Sequence, residues 1–111
     1  MSTLKDGTAL YDVERRVRYA ERPGFRITEL QIGPTQEIPW HAHTEAQDTF
    51  YVLEGEILLS LRDSEEEMRL RPGEIYAVRP GRPHRVTNGG ASSATFLVLQ
   101  GGAYDYVPQS E

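Results

Sequence analysis

The chain of 111 residues contains no cysteine. This absence excludes disulfide bonds, zinc–thiolate sites and cysteine nucleophiles, so any metal ion must bind nitrogen and oxygen ligands. Long apolar runs are also missing, because the longest, such as residues 96–99, are far too short to span a bilayer. The first six residues are polar and contain no apolar signal core. We therefore expect a cytoplasmic protein that does not bind membranes.

Basic residues are fewer than acidic ones. The chain has 12 lysines and arginines against 17 aspartates and glutamates, which gives a net charge of −5. A nucleic-acid-binding protein usually carries a basic surface, so a nucleic-acid partner is not expected. Lys5 is the only lysine, and the other basic residues are arginines. Arginine suits bidentate contacts with carboxylate or phosphate, although ordinary surface use explains these arginines as well.

Helical periodicity is absent too, and short strand patterns take its place. They recur about every eight to twelve residues with turn residues between them, which predicts an all-β sandwich or barrel. The length fits one domain, with residues 1–23 as an N-terminal arm and residues 24–111 as the barrel. Residues 25–32 form the first predicted strand, and a change of apolar phase predicts a β-bulge near Thr28 and Glu29. Glu54 and Gly55 are predicted to form a tight hairpin turn.

Histidine is rare, and its few positions are informative. The chain has three histidines. His41 and His43 precede a predicted strand, and residues two apart on a strand point to the same face. Asp48 follows after a short turn and adds a carboxylate, while His84 follows a turn rich in proline and glycine. A His-x-His pair by itself is as consistent with a structural role as with a metal site, but here every histidine belongs to one candidate site.

These residues resemble the motifs of a small single-domain cupin. The first cupin motif is matched by His41-Ala42-His43, four residues, Asp48, six residues and Gly55, with aspartate in place of the usual glutamate. The second motif is matched by Gly73, Gly81, His84 and Asn88, whereas its proline position is occupied by Arg79. Gly33 matches the leading glycine less well, because seven residues separate it from His41. The resemblance covers about two-thirds of the chain.

The resemblance implies a double-stranded β-helix, or jelly-roll barrel, that binds one divalent metal ion. The implied ligands are His41, His43, Asp48 and His84, and the ion is Fe, Mn, Ni, Cu or Zn. Aspartate is shorter than glutamate, so Asp48 reaches the ion directly or through water, and Glu45 is a substitute candidate. Small cupins are commonly dimers, so a homodimer is expected, with the N-terminal arm as one candidate contact.

Three functions remain open. The first is a metal-dependent enzyme acting on a small organic substrate, either dioxygenase-like or an isomerase or lyase of a sugar or an enolisable acid. The second is a non-catalytic domain that binds a small molecule, and the third is a structural protein with a vestigial site. No catalytic residue is assigned, because no general base stands out beyond Glu45, Asp48 and the tyrosines.

The substrate pocket is predicted from aromatic and arginine residues. Phe50, Tyr76, Arg79 and Trp40 are the selected lining residues, and Arg82 is an alternative to Arg79 for binding a substrate carboxylate. Further aromatic and apolar candidates are Phe25, Ile27, Phe96 and Tyr104. Each of the apolar and aromatic candidates has a simpler alternative role in core packing.

Overall fold

The structure, a computed structural model, describes residues 11–110. These residues form ten β-strands, and none of them lies in a helix. The strands are β1 (Arg15–Arg22), β2 (Phe25–Ile32), β3 (Glu37–Ala42), β4 (Gln47–Glu54), β5 (Ile57–Leu61), β6 (Glu66–Leu70), β7 (Ile75–Val78), β8 (His84–Asn88), β9 (Ala94–Gly101) and β10 (Val107–Pro108). Within this range no helix has the length and hydropathy needed to cross a membrane.

The strands form two antiparallel sheets of five strands each. One has the order β1-β2-β9-β4-β7 and the other the order β10-β3-β8-β5-β6. Side chains alternate between the two faces of a strand, so each sheet turns every second residue toward the space between the sheets. The all-β fold predicted from the sequence is confirmed.

The apolar core fills the space between the two sheets. Its fully enclosed members include Ile32 and Phe96 from the first sheet and Leu59 and Val86 from the second. Phe50 packs against Phe96, with ring centroids 6.1 Å apart. This core lies beside the buried histidines and holds the strands that carry them in a fixed register.

The predicted β-bulge lies in a different strand. The pairing of β2 with β9 is continuous from Phe25 to Ile32, so β2 contains no extra residue. The register shift occurs in β1, between Arg18 and Ala20, which leaves Tyr19 as the extra residue. The change of phase seen in the sequence has another cause: Arg26 is buried on the inner face, whereas Phe25 is exposed on the outer face.

The predicted hairpin at Glu54 and Gly55 is wrong. β4 belongs to the first sheet, and the following strand β5 belongs to the second, where it pairs with β6 and β8. Residues 55 and 56 therefore cross from one sheet to the other. Gly55 has a φ of 73°, and a β-carbon at this position would lie 2.7 Å from the carbonyl oxygen of Ser93. The crossing thus needs glycine for its backbone angle and for its close packing.

The segment assigned to an N-terminal arm divides into two parts. Residues 1–10 lie outside the described residues. Residues 15–22 form β1, which pairs with β2 and is the edge strand of the first sheet. In place of a separate arm, this part of the chain is a strand of the barrel, and its inward residues contribute to the cavity described below.

Candidate metal centre

The second sheet places all three histidines side by side. His41 lies in β3 and His43 immediately follows that strand, so their rings share one face with centroids 4.8 Å apart. His84 begins β8 and pairs directly with His41 in the antiparallel ladder, with ring centroids 4.2 Å apart. All three side chains are at least 97% buried, with exposed fractions of 3%, 2% and 1%. The predicted convergence of the histidines is therefore present in the structure.

Asp48 completes the cluster from the opposite sheet. It lies in β4, and its side chain is also buried. One ligand atom from each of the four residues lies within 4.8 Å of the others. Two atoms that bind one ion through bonds of about 2.0–2.2 Å stand at most about 4.4 Å apart, so this spacing is close to that of a single-ion site.

Each imidazole is oriented by a backbone carbonyl. The Nδ1–H of His41 donates to Pro39 O at 2.8 Å and that of His84 to Arg82 O at 2.9 Å. The Nδ1–H of His43 donates to Asp105 O. A carbonyl oxygen only accepts hydrogen bonds, so the proton of each neutral ring lies on Nδ1. All three Nε2 atoms then carry a lone pair, which is the state that binds a metal ion.

The turn before His84 is attached to His43. The backbone N–H of Gly81 donates to His43 O at 2.7 Å, and Gly81 has a φ of 83°. That left-handed backbone angle favours glycine and explains this part of the second motif physically. The contact holds the loop that carries His84 against the end of β3.

Asp48 contacts two of the histidines and one amide. Its Oδ2 lies 2.8 Å from His43 Nε2 and 3.2 Å from His84 Nε2. Its Oδ1 accepts a hydrogen bond of 2.9 Å from Gln100 Nε2. Burial opposes ionisation of Asp48, but the hydrogen bonds and charges of His43 and His84 hold the pKa of this carboxyl well below its usual range.

The histidines respond differently to this environment. Burial, together with the charges of His84 and His43, lowers the pKa of His41 well below its ordinary value. Burial is the largest influence on His43 and opposes its charge, but the hydrogen bonds to Asp48 and Asp105 and the charges of these two residues together outweigh it and raise the pKa of that ring. His43 Nε2 and Asp48 Oδ2 lie 2.8 Å apart, and both atoms carry lone pairs when they are deprotonated. In the metal-free protein a proton must therefore lie between them.

The donor set fits a divalent transition-metal ion. Three imidazole nitrogens and one carboxylate oxygen suit Fe, Mn, Ni, Cu and Zn, and the absence of cysteine leaves no softer ligand. A bound cation would satisfy the three Nε2 lone pairs and Asp48 Oδ2 together. The Nδ1 contacts and Gln100 supply the outer hydrogen bonds that such ligands normally have.

A cavity opens beside the cluster on the inner face of the first sheet. It leaves about 30 Å³ for the centres of water-sized molecules. Besides His41, His43 and Asp48, its lining is rich in arginine and tyrosine. The other lining residues are Tyr11, Arg16, Arg18, Arg26, Thr28, Leu30, Ile38, Phe50, Val98, Gln100, Tyr104 and Tyr106.

Of the four selected pocket residues, the structure places Phe50 at this cavity. Trp40 lies outside it and contacts two arginines, with the guanidinium carbon of Arg62 4.5 Å from the ring centre. Tyr76 and Arg79 line a separate depression on the surface. The alternative Arg82 lies there too and forms an ion pair with Asp63 at 2.9 Å.

The remaining sequence candidates divide in the same way. Tyr104 lines the cavity, whereas Phe96 lies in the core and Phe25 is 42% exposed. Ile27 lies on the outer face beside Phe25. Glu45 is exposed and stands apart from the four clustered ligands.

The sequence did not indicate several residues that support the site. Asp105 accepts from His43 through its carbonyl and holds the adjacent loop, because its Oδ1 accepts from Thr44 N at 2.8 Å. The ring of Tyr106 stacks on His41, with centroids 4.5 Å apart. Gln100, Arg16 and Arg26 are also new. Only the alternation along β9 and β2 would have placed Gln100 and Arg26 on the inner face.

Comparisons with known proteins agree with this architecture. A family model described as the cupin domain matches residues 28–100. Germin-like protein 1 of Brassica napus is 31% identical over 78 residues, which is 68% of this chain and 38% of that protein. The chain spans less than half of each curated relative that it matches.

Solved structures show the same fold. A double-stranded β-helix protein of Klebsiella pneumoniae subsp. pneumoniae superposes with a TM-score of 0.77 at 24% identity, covering 87% of this chain and 84% of that one. A structure of DMSP lyases has a TM-score of 0.67 at 27% identity and covers 78% of this chain and 44% of that one. The predicted double-stranded β-helix is confirmed.

Proposed function

The chain belongs to the cupin family, and on that premise we propose that it is a metal-dependent enzyme with dioxygenase-like chemistry on a small organic substrate. One observation carries the proposal. Three buried imidazoles have their Nδ1 atoms bound to backbone carbonyls and turn their Nε2 atoms toward one buried carboxylate. Such an arrangement orients the three imidazoles and the carboxylate before an ion arrives.

His41, His43 and His84 would hold the ion through Nε2, and Asp48 through Oδ2. A redox-active ion in this site would supply Lewis acidity and electron transfer for the reaction of a bound substrate with dioxygen. Gln100 would hold Asp48 by its hydrogen bond to Oδ1, and Tyr106 would hold His41 by ring stacking. The apolar side of the cavity, at Leu30, Phe50 and Val98, would limit the access of water.

The cavity favours a reaction that needs no protein base. Among the described residues that line it, Asp48 is the only carboxylate, and the two histidines both belong to the cluster. Burial raises the pKa of Tyr104 and of Tyr106, so both phenols remain protonated near neutral pH. An isomerase or a lyase needs a group that removes a proton from carbon, and the described residues lining the cavity offer no carboxylate or imidazole for this outside the cluster.

A lyase is the second candidate because of one comparison. The DMSP lyase structure is 27% identical to this chain and covers 78% of it. In this chain Tyr104 is the nearest group to a base, since its ring lies 5.0 Å from that of His43. It would have to lose its proton against the effect of burial, which makes this candidate the weaker one.

The test is oxygen uptake by protein loaded with Fe(II) without air and then exposed to dioxygen. A panel of small organic acids and sugars serves as substrate, and the His84→Ala variant serves as the metal-site control. Substrate-dependent oxygen uptake by the wild type alone supports the proposal. Product formation without oxygen uptake would favour the lyase, and tight binding without turnover would favour a binding protein; either outcome would refute the dioxygenase assignment.

A further inference from the structure

We propose that the cavity beside the metal cluster binds a small carboxylate anion through Arg26 and Arg16. The inference rests on the proposed function because it names the substrate class of the same site. The sequence placed carboxylate binding at Arg79 or Arg82, but the structure places those residues elsewhere on the surface and brings other arginines to the cluster.

The sheet aligns Arg26 with the metal ligands. Arg26 in β2 pairs with Gln100 in β9, and Gln100 pairs with Asp48 in β4. These three residues form one row across the inner face of the first sheet. The Cα atoms of Arg26 and Asp48 are therefore two strand spacings, or about 10 Å, apart. A long side chain on this row reaches a molecule held at the cluster. Arg26 is buried, and its guanidinium carbon lies 3.9 Å from the ring centre of Tyr104.

The charge of the cavity is opposite to that of the protein. The whole chain carries −5, yet Arg16, Arg18 and Arg26 line this one cavity against the single carboxylate of Asp48. Arg18 is occupied, since it donates to Thr28 Oγ1 at 2.7 Å and to Glu21 Oε1 at 3.0 Å. A metal ion would make the cavity more positive still. Arg16, Arg26 and a metal ion in this cavity would together favour an anionic occupant.

Two buried donor atoms that belong to cavity-lining residues have no hydrogen-bond partner among the described residues. They are Nη2 of Arg16 and the hydroxyl of Tyr106. Tyr106 is 1% exposed, and a buried hydroxyl without a hydrogen bond is costly. A carboxylate has two oxygens that accept several hydrogen bonds, and it pairs with the planar guanidinium of arginine in a bidentate way.

The size of the cavity limits the anion. The space for the centres of water-sized molecules, about 30 Å³, accommodates an occupant of a few heavy atoms. A nucleotide or a long acyl chain does not fit between the two sheets. The expected ligands are therefore short carboxylates with a second oxygen that faces the cluster.

The test compares lactate with lactamide, which has nearly the same shape without the negative charge. Calorimetry measures binding of each to the full chain, both after removal of metal and after loading with Zn(II), with metal content measured in parallel. The wild type should bind lactate about tenfold or more tightly than lactamide. Arg26→Gln and Arg16→Gln should each lose most of that preference without losing metal. Arg79→Gln, a surface arginine outside the cavity, is the matched control and should retain the preference.

Each outcome decides one question. Equal binding of lactate and lactamide, or a preference that Arg26→Gln and Arg16→Gln both retain, would overturn the inference even if the protein binds metal. A preference for lactate in a protein that takes up no metal after incubation with Zn(II) would support the inference and refute the proposed function. If Arg26→Gln does not fold, Arg26→Lys retains the charge without the planar guanidinium, and the wild-type comparison needs no variant.

Discussion

Gln100 makes the account of Asp48 testable by a single substitution. Its side chain is buried, and its Nε2 donates to Asp48 Oδ1 at 2.9 Å. Replacing it with leucine conserves most of the volume and removes this hydrogen bond. Asp48 Oδ1 then keeps no other hydrogen-bond donor among the contacts described, while its carboxylate stays buried.

The expected cost follows from the charge of the acceptor. A hydrogen bond to a charged group contributes about 1.5–3 kcal/mol, and an unsatisfied buried acceptor costs a similar amount. Gln100→Leu should therefore lower the free energy of unfolding of the metal-free protein by roughly 1.5–3 kcal/mol. Loss of an outer-sphere partner should also weaken metal binding about 10–100-fold, because Asp48 would no longer be held in position.

The measurements are urea unfolding of the metal-free protein and competition with a chelator for the metal. Gln47→Leu is the matched control, because Gln47 lies in β4 but its side chain is exposed and donates to Thr49 Oγ1 at 3.3 Å. It should change the free energy of unfolding by no more than about 0.5 kcal/mol. Equal effects of Gln100→Leu and Gln47→Leu on stability and on metal affinity would refute the role assigned to Gln100.

Three further predictions concern pH, the core and assembly. The pKa of His43 is raised and that of His41 is lowered, relative to the ordinary histidine value of 6.5. The metal-free protein should therefore be most stable near pH 6.5. Its free energy of unfolding loses the His43 contribution above that pH and the His41 contribution below it. Metal affinity, measured by chelator competition, should rise from about pH 6 to 8 as the ligands lose protons, and a flat profile would contradict this. Phe96→Ala should cost about 3–5 kcal/mol in urea unfolding because Phe96 is fully buried, and a loss below about 1 kcal/mol would show that the core is loose. The first sheet exposes the apolar side chains of Tyr51, Leu53 and Ile75, at 36%, 38% and 58%, so we expect a homodimer through this face. Light scattering should give a dimeric mass for the wild type and a monomeric mass for Ile75→Glu. A monomeric wild type would count against the dimer.

Much of the candidate site was accessible from the sequence because one local rule and one motif resemblance point to it. Residues two apart on a strand share a face, and this places His41 beside His43. The distant partner His84 was included as the third histidine of the chain, and the resemblance to the cupin motifs supported this choice. The spacing of those motifs reflects the ladder that pairs His84 with His41. The strand bounds of β2 were also predicted correctly, because turn residues flank it.

The cavity was harder to predict because it breaks the apolar pattern. β2 turns Arg26 and Thr28 inward and Phe25 outward, which is the reverse of an ordinary half-buried strand. From the sequence alone, a β-bulge was the simplest explanation for the change of apolar phase in this strand. The structure shows instead that a polar cavity and an apolar outer face produce it, and functional sites are where such local rules fail.

Long-range crossings were not accessible either. Glu54 and Gly55 have the composition of a hairpin turn, yet the chain crosses there to the opposite sheet. Gly55 packs closely against Ser93 at this crossing, and a contact between residues so far apart leaves no signal in the local sequence. The same holds for Asp105, which binds His43 across 62 residues.

The central claim is that four residues form one metal site, and elemental analysis tests it most directly. The protein is purified without added metal or chelator, beside Asp48→Ala and the control Gln47→Leu. We expect about one transition-metal ion per chain in the wild type and the control, and a much smaller content in Asp48→Ala. Absence of metal from the wild type, even after incubation with Fe(II), Mn(II) and Zn(II), would contradict the claim.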